Sequence, residues 1–390
     1  MQHPADDFLA RARALLPLLK AREAGTTANR EVSTATIADF HQAGMLRLLQ
    51  PKRFGGAQGS FLTFSTIVEE LASTCAASAW VYAVLGEHQW ILSCFPEQAQ
   101  IDVWGNTPQA VASSSLAPRH LAAQVEGGYM LNGDFPFSSG SLHAQWAILG
   151  VATQEADAGL PTRYLLAPMA ELRRIDDWHV LGLQGTGSQS LRAENLFVPT
   201  HRSVRLSDLQ AGTTPGSLAH PDFPLLRAPR DLLTPFSLPP VAFALARRAQ
   251  QIVVPLLRQR FARATMPTYG TEFSHIAIAE ADAELDMAHL LLHTRRQEAI
   301  TAVETGQTIP TATILAVRRD IAFAQRHVRQ AVERLCNTAG THIVYDHSPL
   351  QTILRDVITI ATHRVWSWER AMLPYGQWRL MSGVGEDDRK

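Results

Sequence analysis

The chain has 390 residues, a net charge of −1 and 18% charged residues. This length predicts two or three structural units, and the balanced charge excludes the basic excess that is typical of nucleic-acid-binding proteins. No apolar run has the length of a membrane span. The cysteines, Cys75, Cys94 and Cys336, lack paired or metal-ligand spacing, and no signal-peptide core precedes them, so we predict a cytoplasmic protein. The histidines form no HxH or HExxH pattern, and no metal site is predicted.

The first part of the chain predicts a helical domain over residues 1–108. Apolar residues recur at helical spacing from Phe8 to Leu19, as on one face of an amphipathic helix. A second stretch, from Ala76 to Trp90, consists mostly of small and apolar residues and contains His88 near its end. It predicts a long buried helix.

The middle of the chain predicts an antiparallel β domain over residues 109–205, because short apolar runs alternate there with Gly, Asn and Pro. Trp146 to Val151 predicts a buried strand, and Asn132-Gly133 predicts a turn. Two loops, 138–141 and 177–190, are rich in Gly and Ser. Such residues let backbone N–H and hydroxyl groups approach a flat or anionic ligand. The alternative is that these serines only cap a turn.

The last part of the chain predicts an antiparallel four-helix bundle over residues 238–390. Residues 206–237 precede it, and we interpret them as a linker or lid because they are rich in Pro and lack periodicity. The final helix is the clearest, since Ser348 and Pro349 are typical of a helix start. The fold class is therefore α+β, mainly α. The bundle helices are predicted at about 238–264, 274–302, 309–337 and 349–374.

The order of helical domain, β domain and helical bundle resembles the acyl-CoA dehydrogenase fold, and the resemblance covers nearly the whole chain. Three segments carry it. Residues 45–56 are similar to a Pro-Gly-Gly segment of that family, residues 184–199 to its second flavin-contacting loop, and Arg355-Asp356 to an Arg-Asp pair on its last long helix. The resemblance implies that the central domain is an antiparallel β-barrel or sandwich and that a flavin ring lies between it and the bundle.

Two signatures of the dehydrogenases themselves are missing. His347 stands where the resemblance places a carboxylate base, and residues 361–365 replace a Glu-Gly-Thr turn. The stretch 137–146, together with His363 seven residues after Asp356, resembles instead the flavin-dependent monooxygenases of this fold. Two alternatives stay open: an acyl-CoA dehydrogenase or oxidase with a displaced base such as Asp346, and a non-catalytic protein that has lost the flavin.

This second resemblance implies the oxygenase component of a two-component system. Such an enzyme takes reduced FMN or FAD from a separate NAD(P)H:flavin reductase and uses O₂ as co-substrate. It forms a C4a-hydroperoxyflavin and oxygenates a small organic substrate at C, N or S. The resemblance further implies a homotetramer. Because no counter-charge for a carboxylate or a CoA phosphate can be placed near the site, we favour a neutral or phenolic aromatic substrate.

The resemblance also implies roles for particular residues. Ser138 is predicted to contact flavin N5, where it would slow the loss of H₂O₂, and His363 to act as an acid–base group. For each histidine, a hydrogen-bonded core role is the alternative. The other flavin contacts are predicted to be Ser139, Gly140, Thr186, Ser188 and Trp178. The substrate contacts are predicted to be His88, which is also a catalytic candidate, Ser114 and Trp90.

Overall fold

The computed structural model describes residues 4–154, 160–263 and 271–382. Helices come first, a sheet follows, and long helices end the described chain, which confirms the predicted α+β fold class. None of the helices in these ranges is both long and apolar enough to cross a membrane. The N-terminal helices are α1 (Pro4–Ala28), α2 (Thr34–Gln42), α3 (Phe61–Ala72), α4 (Ala76–Ser93) and α5 (Glu97–Trp104).

Helix α4 is the centre of the N-terminal part, since every one of its 18 residues is buried. A helix that is apolar all round is expected in a protein interior. Its small residues allow close packing: a Cβ atom on Gly86 would lie only 2.7 Å from the Phe64 ring of α3. The helix therefore carries Trp80 and His88 into the interior, next to the sheet.

In the described residues, the strands form one eight-stranded sheet in the order β6-β7-β3-β2-β4-β5-β8, with β1 also paired to β4. The predicted strand at Trp146 is confirmed as β4. The purely antiparallel arrangement was wrong, because β4 is parallel to both β1 and β2. Because β3 runs antiparallel to β2, the chain reverses twice between β2 and β4, and β4 can run in the same direction as β2. The strands are β1 (Ala112–Ser115), β2 (Leu121–Val125), β3 (Gly128–Phe135), β4 (Trp146–Thr153), β5 (Thr162–Pro168), β6 (Arg173–Ile175), β7 (Ser190–Pro199) and β8 (Ser203–Arg205).

The turn predicted at Asn132-Gly133 was also wrong, because both residues lie inside β3. The register between β3 and β7 shifts at this point. The Asn132 side chain accepts the Asn195 N–H at 2.7 Å, and Gly133 has a φ of +135°. A β-bulge uses the same residue types as a turn, so the sequence pattern did not distinguish them.

The predicted linker, 206–237, contains the short helices α6 (Leu206–Ala211), α7 (Pro215–Ala219) and α8 (Arg230–Leu233). Many of its apolar side chains are buried, among them Leu226, Leu232 and Phe236, whereas Leu218 is exposed. This segment packs against the N-terminal core and carries Arg230 into the interior.

Three of the long bundle helices lie close to the predicted ranges, but the predicted final helix, 349–374, is broken at 362–367. There the Trp366 indole donates to the Ile360 carbonyl at 3.0 Å, and His363 Nδ1 accepts the Val365 N–H at 3.3 Å. These bonds satisfy backbone groups that a helix end leaves free, and His363 therefore lies in a turn. The helices are α9 (Pro239–Arg263), α10 (Thr271–Glu304), α11 (Thr311–Ala339), α12 (Pro349–Ala361) and α13 (Trp368–Met381).

Candidate active site

The two loops rich in Gly and Ser meet in a network of buried hydroxyl groups. Ser139 Oγ accepts a hydrogen bond from Trp80 Nε1 at 3.1 Å and lies 2.6 Å from Ser188 Oγ. Ser188 Oγ in turn lies 2.7 Å from Thr186 Oγ1. The structure thus brings together Ser139, Thr186 and Ser188, which the sequence singled out separately.

The backbone of the first loop needs unusual conformations. Gly140 has a φ of +71°, and a Cβ atom there would lie 3.1 Å from Leu85 of α4, so glycine lets the loop approach that helix. Phe137 has a φ of +65° although it is bulky, a strain that is typical of functional sites. Its ring is 62% exposed and lies edge-on to Trp178. Trp178 is thereby placed beside the predicted flavin loops.

Ser138 has different partners from Ser139. It is fully buried, its hydroxyl donates to Ser113 Oγ of β1 at 3.0 Å, and its N–H donates to the Gln189 carbonyl at 3.2 Å. The first bond joins the loop to the sheet next to the hydroxyl network. The contact with flavin N5 stays a prediction.

Replacing Ser138 by alanine is expected to raise the H₂O₂ released per O₂ consumed about fivefold, since one hydroxyl contact contributes about 1 kcal/mol. Peroxide and product are measured in the same reaction. Ser113→Ala is the matched control, because it removes the Ser138–Ser113 bond but keeps the Ser138 hydroxyl. Equal uncoupling in the two variants would assign Ser138 a structural role.

His88 and Ser114 form the second group that the structure brings together. His88 Nδ1 lies 2.6 Å from the Ala112 carbonyl, and His88 Nε2 lies 3.0 Å from Ser114 Oγ. A carbonyl only accepts, so Nδ1 carries the proton and Nε2 is an acceptor. Burial, with a contribution from the positive charge of Arg230, lowers the pKa of His88 to about 4. The ring is therefore neutral near pH 7 and presents a proton acceptor.

His363 has the opposite tautomer. Its Nδ1 accepts the Val365 N–H, so the proton of the neutral ring is on Nε2, which is a donor. The ring stacks on Trp366 at 4.7 Å and lies edge-on to Trp80 at 5.7 Å between centroids. Burial and the positive charge of Arg230 lower the pKa of His363 to about 4. The site thus combines one neutral donor with one neutral acceptor.

The sequence did not indicate Arg230, which is the main charged group of the site. Its side chain is 14% exposed, and its charge depresses the pKa values of both His88 and His363. It lies over the Tyr164 ring and bonds to Asp231 at 3.3 Å. Its Nε atom is buried and has no hydrogen-bond partner among the described residues. Arg230 overturns the expectation that the site lacks a counter-charge for an anion.

Glu87, next to His88 on α4, was also missed. It is buried and interacts electrostatically with Arg230, and its Oε1 atom has no hydrogen-bond partner in the described part of the chain. Burial raises the pKa of Glu87 to about 7. One signal was available in the sequence: Glu87 is the only acidic residue between Ala76 and Trp90, and acidic residues are rarely buried without a partner.

Trp90, predicted to contact substrate, belongs to the core. It lies two residues beyond His88 and thus about 200° around α4 from it. It is fully buried, its indole donates to the Leu225 carbonyl at 3.0 Å, and its ring packs on Phe61. The substrate contact of Trp90 stays a prediction that this geometry does not support, because the ring faces away from the side of α4 that carries His88.

A cavity of about 670 Å³ lies elsewhere, between α9 and residues 342–350, and contains none of the predicted site residues. The candidate site is therefore the region where both histidines, Arg230 and the hydroxyl network converge. These groups fit a flat anionic ligand, since the buried Arg230 Nε needs an acceptor and the hydroxyls line the two loops. No group of three or more His, Cys, Asp or Glu among the described residues is arranged to hold a metal ion.

Comparison with known proteins gives consistent matches along the chain. Residues 6–104 match the acyl-CoA dehydrogenase N-terminal domain, and residues 238–368 match its C-terminal domain. The chain is 32% identical over 370 residues to the flavin-dependent monooxygenase oxygenase subunit HsaA of Rhodococcus jostii (strain RHA1), covering 94% of this chain and 97% of that protein.

Two further relatives agree with this match. The chain is 29% identical to the FADH(2)-dependent resorcinol hydroxylase, oxygenase component, of Rhizobium sp. (strain MTP-10005), covering 95% of this chain and 93% of that protein. The crystal structure of the HsaA monooxygenase from M. tuberculosis superposes with a TM-score of 0.90 at 29% identity, covering 97% of this chain and 99% of that one.

Proposed function

Since the chain belongs to the flavin-dependent monooxygenase oxygenase subunits that have the acyl-CoA dehydrogenase fold, we propose that it oxygenates a phenolic aromatic substrate. Reduced flavin, when bound, would supply the two electrons that activate O₂, so that one oxygen atom of O₂ enters the substrate and the other leaves as water. The proposed substrate class is based on one observation: the site combines a neutral acceptor, His88 Nε2, with the buried cation Arg230. Together they suit a hydroxyl group that loses its proton.

On the flavin side, Trp80, Ser139, Thr186 and Ser188 hold and orient the cofactor through their linked polar groups. Ser138 lies beside them and contributes its hydroxyl at flavin N5. His363 holds a proton on Nε2 at the same face. The cofactor is reduced FMN or FAD, and the FADH(2)-dependent relative supports FAD.

On the substrate side, the phenol hydroxyl donates to His88 Nε2 in place of the Ser114 hydroxyl, which then donates to the phenol oxygen. His88 accepts the phenol proton while the Ala112 carbonyl keeps the ring in its tautomer. Arg230 stabilises the phenolate that results, because an opposite charge within a few ångströms favours the charged form. The resorcinol hydroxylase relative, named for a phenol, supports this substrate class.

Replacing Ser114 by alanine is expected to raise the KM for a phenolic substrate about fivefold with little change in kcat, because one neutral hydrogen bond contributes about 1 kcal/mol to binding in ground and transition states alike. Steady-state kinetics measure both constants. Ser115→Ala is the matched control, since the Ser115 hydroxyl bonds to the Pro136 carbonyl instead. A similar rise in KM for both variants would refute the Ser114 contact.

The partners follow from the same reasoning. The relatives are oxygenase components by name, so a separate NAD(P)H:flavin reductase supplies the reduced flavin. The protein acts in the cytoplasm as a homotetramer. Exposed apolar side chains on α13, among them Leu373, Leu380 and Met381, support self-association, since such surfaces commonly mark interfaces.

Neither of the two carboxylates on or just before α12 suits the base that the dehydrogenase alternative requires. Asp346 is exposed and precedes α12, whereas His363 follows the other end of that 13-residue helix. The buried carboxylate on α12, Asp356, accepts a backbone N–H of the second loop. Neither carboxylate lies beside His88 and Arg230, where the substrate is placed.

Anaerobic titration of the purified protein with reduced and oxidised FMN and FAD tests the proposal. We expect reduced flavin to bind more tightly than oxidised flavin, and O₂ then to yield hydroxylated product from a panel of simple phenols. A protein that binds oxidised flavin tightly and is bleached by an acyl-CoA would be a dehydrogenase. Binding of neither redox state would indicate a non-catalytic protein.

A further inference from the structure

A single carboxylate of the bundle clamps the second Gly/Ser loop to α12. Asp356 is buried, and its Oδ1 accepts the Leu183 N–H at 2.6 Å. Leu183 has a φ of +53°, which is uncommon for a residue other than glycine. Gly182 lies directly against α12, because a Cβ atom on it would be 2.2 Å from the Arg355 carbonyl oxygen. The loop is therefore held in a strained conformation at close contact with the helix.

The Leu183 carbonyl sets the positions of two flavin-side residues. It accepts hydrogen bonds from Trp178 Nε1 at 3.2 Å, from Thr186 Oγ1 at 2.9 Å and from the Thr186 N–H at 3.1 Å. A rotation of the Leu183 backbone would redirect this carbonyl and break these bonds together. The conformation that Asp356 holds thus fixes the direction of the Thr186 hydroxyl.

From Thr186 the contacts return to the bundle. Thr186 Oγ1 lies 2.7 Å from Ser188 Oγ, and Ser188 Oγ lies 2.6 Å from Ser139 Oγ. Ser139 Oγ in turn accepts a hydrogen bond from the Trp80 indole at 3.1 Å. The Trp80 ring then meets His363 edge-on, and His363 follows Asp356 by seven residues. The chain of contacts begins and ends at α12 and the turn that follows it, and it passes through every flavin-side hydroxyl except that of Ser138.

Asp356 has no ion pair among the described residues, although positive charge is near. Arg248 pairs with Glu23, and the neighbouring Arg355 leaves its Nε without a hydrogen-bond partner in the same ranges. Burying a carboxylate without a counter-ion is costly. The bond to the Leu183 N–H is therefore the contact that explains its presence here.

We propose that Asp356 is a positioning residue for the flavin site, which holds Leu183 in its left-handed conformation and thereby aims the Thr186 and Ser188 hydroxyls at the cofactor. In this proposal, the hydrogen bond that Asp356 Oδ1 accepts from the Leu183 N–H holds the loop, and the negative charge of Asp356 is not required. The role toward flavin rests on the proposed function, but the clamp itself does not.

Two variants distinguish the effect of the Asp356 hydrogen-bond acceptor from the effect of its negative charge. Asp356→Asn keeps an Oδ1 acceptor and loses the charge, and Asp356→Ala loses both. Amide hydrogen exchange in the flavin-free protein should become about tenfold faster over residues 181–188 in the alanine variant, and the dissociation constant for reduced FMN or FAD about tenfold larger, since a hydrogen bond to a charged group contributes about 1.5 kcal/mol or more. The asparagine variant should stay within about threefold of the parent protein in both.

Asp320→Asn is the matched control, because Asp320 is a buried carboxylate of α11 that pairs with Arg295; it should leave exchange over 181–188 unchanged. Unchanged exchange in Asp356→Ala, or equal acceleration in both Asp356 variants, would overturn the proposal. If the parent protein binds no reduced flavin, the proposed function fails, and the exchange experiment still decides whether the clamp exists.

Discussion

Replacing His363 by alanine is expected to lower product formation by about 100-fold or more, the usual range for loss of an acid–base group. Reduced-flavin affinity should change by less than about threefold, since the hydroxyl network that holds the flavin does not include His363. The reason is the fixed tautomer: the Val365 N–H occupies Nδ1 and leaves the proton on Nε2. Single-turnover product yield and anaerobic flavin titration measure the two quantities.

His363→Asn is the matched control for the turn. An asparagine side chain also accepts a backbone N–H two residues on, so this variant keeps the bond to Val365 and removes the ring. It should lose as much product formation as the alanine variant. Recovery of activity in His363→Asn, or equal loss of flavin binding and product formation in His363→Ala, would make His363 a structural residue.

The charge state of His363 leads to a further expectation for the same variants. Its pKa of about 4 lies below that of free histidine, so the ring stays neutral from neutral pH down to about pH 5. The folded protein binds a proton at His363 less readily than the unfolded chain does. The free energy of unfolding therefore falls as the pH falls from about 6.5 toward 4. Thermal unfolding of His363→Asn should therefore depend less on pH in this window than that of the parent protein.

Replacing Arg230 by methionine is expected to weaken binding of a phenolic substrate by about 10- to 100-fold, because a buried charged contact contributes about 1.5–3 kcal/mol. Binding of the methyl ether of the same substrate, which cannot ionise, should weaken much less. Equilibrium binding to the complex with reduced flavin measures both ligands under anaerobic conditions. Methionine fills a similar volume, so packing against Tyr164 is largely kept.

The matched control for Arg230→Met is the double variant with Glu87→Gln. Without Arg230, the pKa of Glu87 should rise above its present value of about 7, because burial raises this pKa and Arg230 opposes the rise. The double variant removes this titration and should still bind the phenol weakly. If Glu87→Gln restores phenol binding, or if phenol and methyl ether weaken equally, Arg230 does not act as the counter-charge.

The sequence was sufficient for the fold class, whereas the predicted contacts of the flavin-side residues stay predictions. The order of the segments, their hydrophobic periodicity and the placement of Gly, Asn and Pro predicted the helical domain, the sheet and the bundle. Ser139, Thr186 and Ser188 were singled out by the family resemblance and by the Gly and Ser residues of both loops, and the structure links their hydroxyls. His88 and Ser114 were singled out separately, and the structure shows that they form a hydrogen bond between a helix and a strand.

Features that depend on tertiary contacts were not predictable. The apolar pattern of α12 continues through Val365 and Trp366, so it hid the turn, which the Trp366 indole stabilises by bonding back to Ile360. Arg230 lies in a segment without periodicity, and only the packing of α8 against Tyr164 brings it to the histidines. The core position of Trp90 could not be decided from the sequence, because proximity to His88 says nothing about the side of α4 on which Trp90 lies.

The most direct measurement uses chemically reduced flavin, ¹⁸O₂ and a phenolic substrate with the purified protein alone. Mass spectrometry of the product then shows the origin of the new oxygen atom. We expect one ¹⁸O atom in each molecule of product, formed without any reductase present. Product that carries oxygen only from water, or consumption of all the O₂ as H₂O₂ with every phenol tested, would contradict the assignment as an oxygenase.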